Sequence, residues 1–484
     1  VRGIRRFLMA GPSLAIALFV GAGMGSVFLA DSFDFRKMGA FLLGDEALSI
    51  LRLTVVHSGV ALVISWAAAW GWLLIAGARG LGVLRFLSVL PGMAYALAVV
   101  LVLRGLRVEN PYSMRSVVIA WVLAGIPYLA SGMAEGIRDL GIRRREALKV
   151  LGARPWQVWW HHEFRGTAMV QVSLVLQQLW FYLTSFSLVL ILGGGPPSET
   201  LEVGIYSSVR LGNPDFSKAM ALVVLQAGLL LLVRGFARGV QSRIQSPRAL
   251  GEGFGVQSDR LGRMAVGVLI LGLLGASVGL GLDLGTGNGS ASREMILGDF
   301  AGPVGMSLGL GAMVVLLTSV FAISSYLSGL KFLAGMGTWT SPVMISLSVW
   351  NLSGFLLPSW WNVALIQSVF FAPWFARSVF PLLDRTQKPE LEAARALGAK
   401  PWVAYWQVEW PRIRGAVIRS LGLVFALSVT EVTSVMLFSR GNFDTLSSFS
   451  QNLFSRFRIE EAAFGVLLML LMASAALACG EEKA

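Results

Sequence analysis

Apolar runs about 20 residues long recur from one end of this 484-residue chain to the other, and they constrain its fold more than any other feature. Wound as a helix, a run of that length matches the hydrocarbon core of a bilayer. Strands and core helices of soluble proteins stop sooner. Composition agrees: 55% of residues are hydrophobic and 14% charged, against roughly 25% charged in soluble domains. In lipid every backbone polar group must be satisfied within its own segment, so the runs are expected as helices. The pattern predicts spans at 7–30, 50–76, 83–103, 117–133, 170–192 and 219–233. After a polar stretch it predicts six more, at 264–282, 304–326, 332–357, 363–383, 417–438 and 462–478. The expected fold is an all-α membrane protein of about twelve transmembrane helices in two homologous six-helix halves. The division is 1–240 for the first domain, 241–263 for a cytoplasmic linker and 264–484 for the second domain. The linker carries Arg243, Arg248, Arg260 and Arg263 among Ser, Gly and Pro.

A net charge of +13 in a soluble protein points to nucleic acid. Here the basic residues fill short loops between apolar runs, which marks cytoplasmic loops and leaves no nucleic-acid face. Arg138, Arg143, Arg144, Arg145, Lys149 and Arg154 crowd the loop after the fourth run; Arg385, Lys388, Arg395, Lys400, Arg412 and Arg414 crowd the loop after the tenth. Both loops then face the cytoplasm, as do both termini. Arg104, Arg107 and Arg115 lie on the other side, against the trend. Arg5 and Arg6 before the first run resemble a secretory signal, but the run is span-length without a clear cleavage site and reads as an uncleaved first span. One cysteine, Cys479, and three histidines give neither a disulfide nor a metal-ligand spacing, so no metal is expected.

The two basic loops are copies of each other. The first reads Glu146-Ala147-Leu148-Lys149-Val150-Leu151-Gly152-Ala153-Arg154-Pro155-Trp156, the second Glu392-Ala393-Ala394-Arg395-Ala396-Leu397-Gly398-Ala399-Lys400-Pro401-Trp402. The offset is 392 − 146 = 246, and it holds without a gap through Trp160/Trp406 and Glu163/Glu409. The chain is an internal duplication. Glu-Ala-Ala followed by Leu favours helix. Gly152 and Gly398 fit the position just past a helix end, where a left-handed residue is wanted. Pro155 and Pro401 fit the first turn of a following helix. Each loop is therefore expected as helix, tight turn, helix, with Trp156 and Trp160 at headgroup depth.

Glu-Ala-Ala, three residues, Gly, nine residues and then Ile-x-Leu-Pro is a pattern that resembles the signature loop of binding-protein-dependent ABC importer permeases. The second copy keeps it well, with Glu392, Ala393, Ala394, Gly398 and Pro411; the first keeps Glu146, Ala147 and Gly152 but has Leu148 and Arg165 at other key positions. The resemblance implies that the loops dock into a separate cytoplasmic ATP-binding-cassette ATPase, expected as a homodimer. It also implies a periplasmic or surface solute-binding protein and residence in the bacterial inner membrane. Two permease domains in one polypeptide resemble the branch that handles thiamine, ferric iron and related solutes. Thr184-Ser185-Phe186, Gly193-Gly194-Gly195-Pro196, Thr200 to Tyr206 and Asp444-Thr445-Leu446 with Gln451 look most like its thiamine members. The expected solute is thus thiamine-like, with ferric iron next. No Gly-Lys pair for a Walker A loop occurs in the chain, so ATP is expected on the partner and this chain is expected to hold no cofactor and do no covalent chemistry.

Polar residues within the runs are candidates for the solute path: Gln177, Gln178, Ser185 and Ser187 in the fifth run, Ser428, Thr430 and Glu431 in the eleventh. An ionisable group inside a span is costly, which singles out Glu431. A secondary transporter with parallel six-helix repeats would share the outline. It would have no need of a duplicated Glu-Ala-Ala loop.

Overall fold

The computed structural model describes residues 2–28, 33–76, 84, 87–88, 90–108, 110–193, 198–241, 289–338, 340–353, 358–385, 393–394, 396–400, 403, 406–407, 410–439 and 443–481. Among them every regular element is a helix. They form two compact units, Asp34–Leu273 and, together, Val1–Phe33 with Leu274–Ala484.

In the Asp34–Leu273 unit the helices are α2 (Phe35–Leu42), α3 (Asp45–Ala76), α4 (Gly92–Gly105), α5 (Met114–Asp139), α6 (Ile142–Val150), α7 (Pro155–Val158), α8 (Ala168–Leu183), α9 (Ser187–Leu192), α10 (Leu201–Arg210) and α11 (Phe216–Gln241). A π-helical segment, Trp159–Phe164, continues α7. Asp34 caps α2 by accepting from the Arg36 amide at 2.8 Å, and Ser113 caps α5 through the Ser116 amide. At 1.5 Å per residue the 32 residues of α3 run about 48 Å, past the hydrocarbon core of about 30 Å. α3 lies along α5 and α8, and Trp70, Leu129, Met133 and Leu174 form the core between them.

The other unit holds α1 (Arg2–Val27), α12 (Gly289–Ser328), α13 (Pro342–Ser353), α14 (Ser359–Arg385), α15 (Trp410–Thr430), α16 (Thr433–Phe438), α17 (Leu446–Ser455) and α18 (Ile459–Glu481). A 3-10 turn covers Leu333–Thr338. Ala322, Phe375 and Val379 pack where α12 meets α14, and α15 lies along α18.

Compactness does not follow the linear division at the linker. α1 packs on α12 and α13, and Ser13 on α1 accepts a 3.2 Å hydrogen bond from Ser324 on α12. The first helix thus sits with the second repeat. An apolar helix in lipid carries no stripe that says which neighbour it will meet, since packing there follows small residues and local hydrogen bonds.

Among the described residues seven helices are long and apolar enough to cross a membrane: Ala10–Val27, Asp45–Ile75, Met114–Asp139, Phe216–Val240, Gly298–Ser328, Ser359–Asp384 and Trp410–Thr430. Gly92–Gly105, Ala168–Leu183 and Glu461–Leu477 are apolar but shorter. Four of the expected runs are interrupted. The third is helical at Leu84 and Leu87 and again from Gly92, broken at Leu90-Pro91. The ninth is a 3-10 turn followed by α13. The fifth and eleventh are each broken in two. The seventh, 264–282, and the linker lie outside the described residues.

Candidate functional site

The duplicated loops close with the same hydrogen bonds. After α6, the Leu151 amide donates to Ala147 and the Ala153 amide to Leu148, both at 3.0 Å. In the second copy the Leu397 amide donates to Ala393 and the Ala399 amide to Ala394, also at 3.0 Å. The bond reaching back five residues is the helix stop that requires a left-handed residue, and Gly152 (φ 79°) and Gly398 (φ 84°) supply it. A β-carbon on either glycine would touch nothing among the described residues. Glu146 and Ala147 are exposed, as are Ala393, Gly398 and Pro411; Ala394 is half-buried. The apolar tips stand out into solvent, with Val150 at 87%, Leu151 at 82% and Leu397 at 88% exposure. Glu392 lies outside the described residues. Pro155 opens α7 and Pro411 lies in the first turn of α15, where a missing amide proton costs nothing.

The second duplicated feature is the helix break. Thr184 turns its hydroxyl back to the Trp180 carbonyl at 2.9 Å, and Thr430 to the Ala426 carbonyl at 3.1 Å. The next residues make a tight turn in both units: the Ser185 amide donates to Tyr182, the Glu431 amide to Ser428. α9 and α16 follow at the same offset. Beyond them come the short helices α10 and α17, each seated alike on a long span. Thr54 on α3 accepts from the Leu201 amide at 3.0 Å, and Ser307 on α12 from the Leu446 amide at 2.7 Å. Sequence patterning placed both breaks inside continuous spans, 170–192 and 417–438.

Side chains around the two breaks differ. In the second unit Glu431 caps α16, its Oε1 accepting from the Thr433 amide at 2.7 Å and its Oε2 from the Ser434 amide at 3.1 Å and the Ser434 hydroxyl. Gln367 on α14 donates to Glu431 Oε2 at 3.1 Å and accepts from Ser428 at 2.6 Å. Ser447 on α17 donates to the Glu431 carbonyl at 2.7 Å. The group is wholly polar, and among the described residues no lysine or arginine pairs with Glu431. Glu431 is therefore brought together with Ser428, and with Gln367 and Ser434, which sequence reading missed; the Thr430 hydroxyl turns back to its own helix. A signal existed: Pro127/Pro373 carries the offset through α5 and α14, and it sets Gln367 against Trp121.

In the first unit the same positions are aromatic. Trp121 and Tyr182 stack at 5.3 Å, and the Tyr182 hydroxyl donates to the Trp121 carbonyl at 2.7 Å and lies 2.8 Å from Ser65. Ser185 sits in the break, half-buried; Gln178 is buried and Gln177 half-buried on α8. Two buried carboxylates in this unit, Glu199 and Glu202, lie just before and on α10 instead. Glu202 Oε1 accepts from Gln226 at 2.7 Å, and the same amide nitrogen lies 3.4 Å from the Leu183 carbonyl at the break.

Residues 61–249 and 332–480 match the family described as binding-protein-dependent transport system inner membrane component. The thiamine transport system permease protein ThiP of Escherichia coli (strain K12) is 25% identical over 75% of this chain and 72% of its own length. ThiP of Haemophilus influenzae is 24% identical over 74% and 71%. The sulfate transport system permease protein CysW of Synechocystis is 32% identical over 27% of this chain and 54% of its own. No solved structure matches the chain.

Proposed function

The chain belongs to the family of binding-protein-dependent transport system inner membrane components, and we propose that it is the whole permease of an ATP-driven importer, both halves in one polypeptide. The observation that carries this reading is the pair of identical exposed turns. Two copies of one apolar tip, each held by the same left-handed glycine, suit two equivalent clefts, as a homodimeric cytoplasmic ATPase would offer. The proposed topology is two sets of six membrane segments, counting each broken helix with its continuation as one, with both termini and both loops in the cytoplasm. ATP binding and hydrolysis on the partner would move the loops and switch the access of the solute path from the binding-protein side to the cytoplasm.

For the solute we propose a thiamine-like organic cation. The ThiP relatives align with most of the chain, whereas the sulfate relative aligns with about a quarter. Charge supports the same choice: Glu431 has hydrogen-bond donors around it but no basic partner among the described residues, which suits a cation and repels sulfate. Ferric iron has no comparable support. The test is the chain reconstituted with its cognate ATPase and binding protein in proteoliposomes, assayed with labelled thiamine, sulfate and ferric citrate. ATP-dependent thiamine uptake that needs the binding protein is expected. Uptake of sulfate alone would overturn the solute, and uptake driven by an ion gradient without ATPase would overturn the importer reading.

A further inference from the structure

We infer that Gln171 is a positioning residue that fastens the first cytoplasmic loop to the membrane span α3, so that loop and span move as one body. The inference rests on the docking role proposed above. Gln171 is buried on α8, and its one side chain bonds four groups. Its Oε1 accepts from the indole nitrogens of Trp66 at 3.2 Å and Trp70 at 3.1 Å, one turn apart on α3. Its Nε2 donates to the Phe164 carbonyl at 2.8 Å and to the Thr167 hydroxyl at 2.9 Å. Thr167 in turn donates to the Glu163 carbonyl at 2.6 Å, and the Glu163 carboxylate pairs with Arg145 of α6 at 3.2 Å. An unbroken chain of hydrogen bonds therefore runs from α6, through the π-helical segment, to α3.

Ring packing reinforces it. Trp70 meets Trp159 and Phe164 with centroids 5.6 Å apart, Trp66 meets Phe164 at 6.0 Å, and Trp160 stacks on Phe164 at 4.9 Å. A π-helical turn inside a loop leaves backbone carbonyls without regular partners, and Gln171 takes one of them. A purely structural filler at this buried site would more cheaply be apolar, as in the other repeat. There the offset gives Val417, packed against the Ala322–Phe375 cluster.

The experiment uses the complete complex with ATPase and binding protein. Gln171→Met keeps the volume and removes every bond. Uptake per ATP hydrolysed is expected to fall about 10-fold, within the usual range of coupling energies, while the ATPase stays bound and hydrolysis continues. Val417→Met in the other repeat should change that ratio less than two-fold. Should Gln171→Met fail to assemble, Trp66→Phe with Trp70→Phe keeps an aromatic ring at each place and removes both indole donors, and the same fall is expected. An unchanged ratio in the variant that assembles, even with a lowered thermal midpoint, would make Gln171 a merely structural residue and overturn the inference. A wild-type complex without ATP-driven uptake would instead defeat the underlying importer reading.

Discussion

Two copies of one loop carry the same turn but are held differently. Around Gly152 and Gly398 the backbone hydrogen bonds repeat residue for residue, and a leucine projects beside each glycine. Behind the turn the likeness is partial: the Trp160–Phe164 ring pair recurs as Trp406–Trp410, but the fastening differs. The first loop is tied by Arg145–Glu163, the tryptophan box and Gln171; at the matching places the second has Leu391 and Val417. The helix breaks differ in the same way, aromatic in the first unit and polar in the second, although the threonine back-bond is kept in both. Even the bulk has changed sides. A β-carbon at Gly125 would lie 2.1 Å from the Tyr182 hydroxyl, whereas the matching pair is Phe371 and Ser428, with the large ring on the other helix. Duplication has preserved what the backbone needs at its turns and caps and freed what fills the space between helices. An ATPase docked as proposed would face two equivalent tips.

The largest expected effect breaks the likeness at the turn. Gly398→Arg should reduce uptake more than about 20-fold in the reconstituted complex, and Gly152→Arg markedly less. The left-handed backbone costs a residue with a side chain on the order of 1 kcal/mol. Among the described residues nothing lies within 4 Å of a β-carbon at either glycine, so the chain should still insert. The first loop has its tryptophan box and ion pair to hold its second leg in place; the second loop has Leu391 where the arginine would be. Equal damage from both would show that fastening behind the turn does not matter to docking.

Glu431→Gln sharpens the contrast between the breaks. The amide keeps an acceptor for the Thr433 and Ser434 amides but loses the charge, so uptake of a cationic solute should show a roughly 10-fold higher KM, equivalent to about 1.4 kcal/mol. Tyr182→Phe at the other break should leave KM unchanged and lower the thermal midpoint, because its hydroxyl only joins α8 to α5 and α3. A solute whose KM ignores Glu431→Gln is not recognised by that charge.

Sequence alone carried the loops nearly whole. The glycine positions and the helix start at Pro155 follow from turn chemistry, which is local; Pro401 lies outside the described residues. The broken spans were hidden, because Thr184-Ser185-Phe186 and Thr430-Glu431-Val432 sit inside otherwise continuous apolar runs, and hydropathy does not register a helix that stops and restarts. Gln171 was less visible still: a single glutamine in an apolar run gains its meaning from Trp66 and Trp70, about a hundred residues earlier in the chain. The place of α1 with the second repeat depends on contacts with Ser324 and its neighbours that no periodicity encodes.

A smaller effect tests what the units share. Thr54→Val and Ser307→Ala each remove the hydroxyl that receives the first amide of a short helix, α10 or α17. Each should cost about 1 kcal/mol, as loss of a helix cap does, read as similar falls in the thermal midpoint of the detergent-solubilised chain. A fall in only one of them would mean that the short helices are seated by other contacts in the unaffected unit.

Arg145→Ala should do least, and its smallness is informative. Arg145 is half exposed and Glu163 is 14% exposed, so the 3.2 Å pair is screened on one side and worth a few tenths of a kcal/mol to about 1 kcal/mol. Glu163 remains held through its carbonyl by Thr167 after the arginine is gone, so the hydrogen-bond path from the loop to Gln171 is shortened by one link rather than cut. Uptake per ATP should therefore fall less than two-fold at physiological salt, and raising salt should bring wild type and variant together, because an exposed pair weakens as the Debye length shrinks. Thr167→Val removes the next link inward, where no water competes, and should fall between Arg145→Ala and Gln171→Met. That ordering separates two accounts of the first loop. If harm grows from Arg145 to Thr167 to Gln171, the loop is fastened from the membrane side, and the surface pair only orients α6. If Arg145→Ala alone does as much as Gln171→Met, the ion pair is the fastening and the tryptophan box is packing, and the first loop would then differ from the second by a single charge.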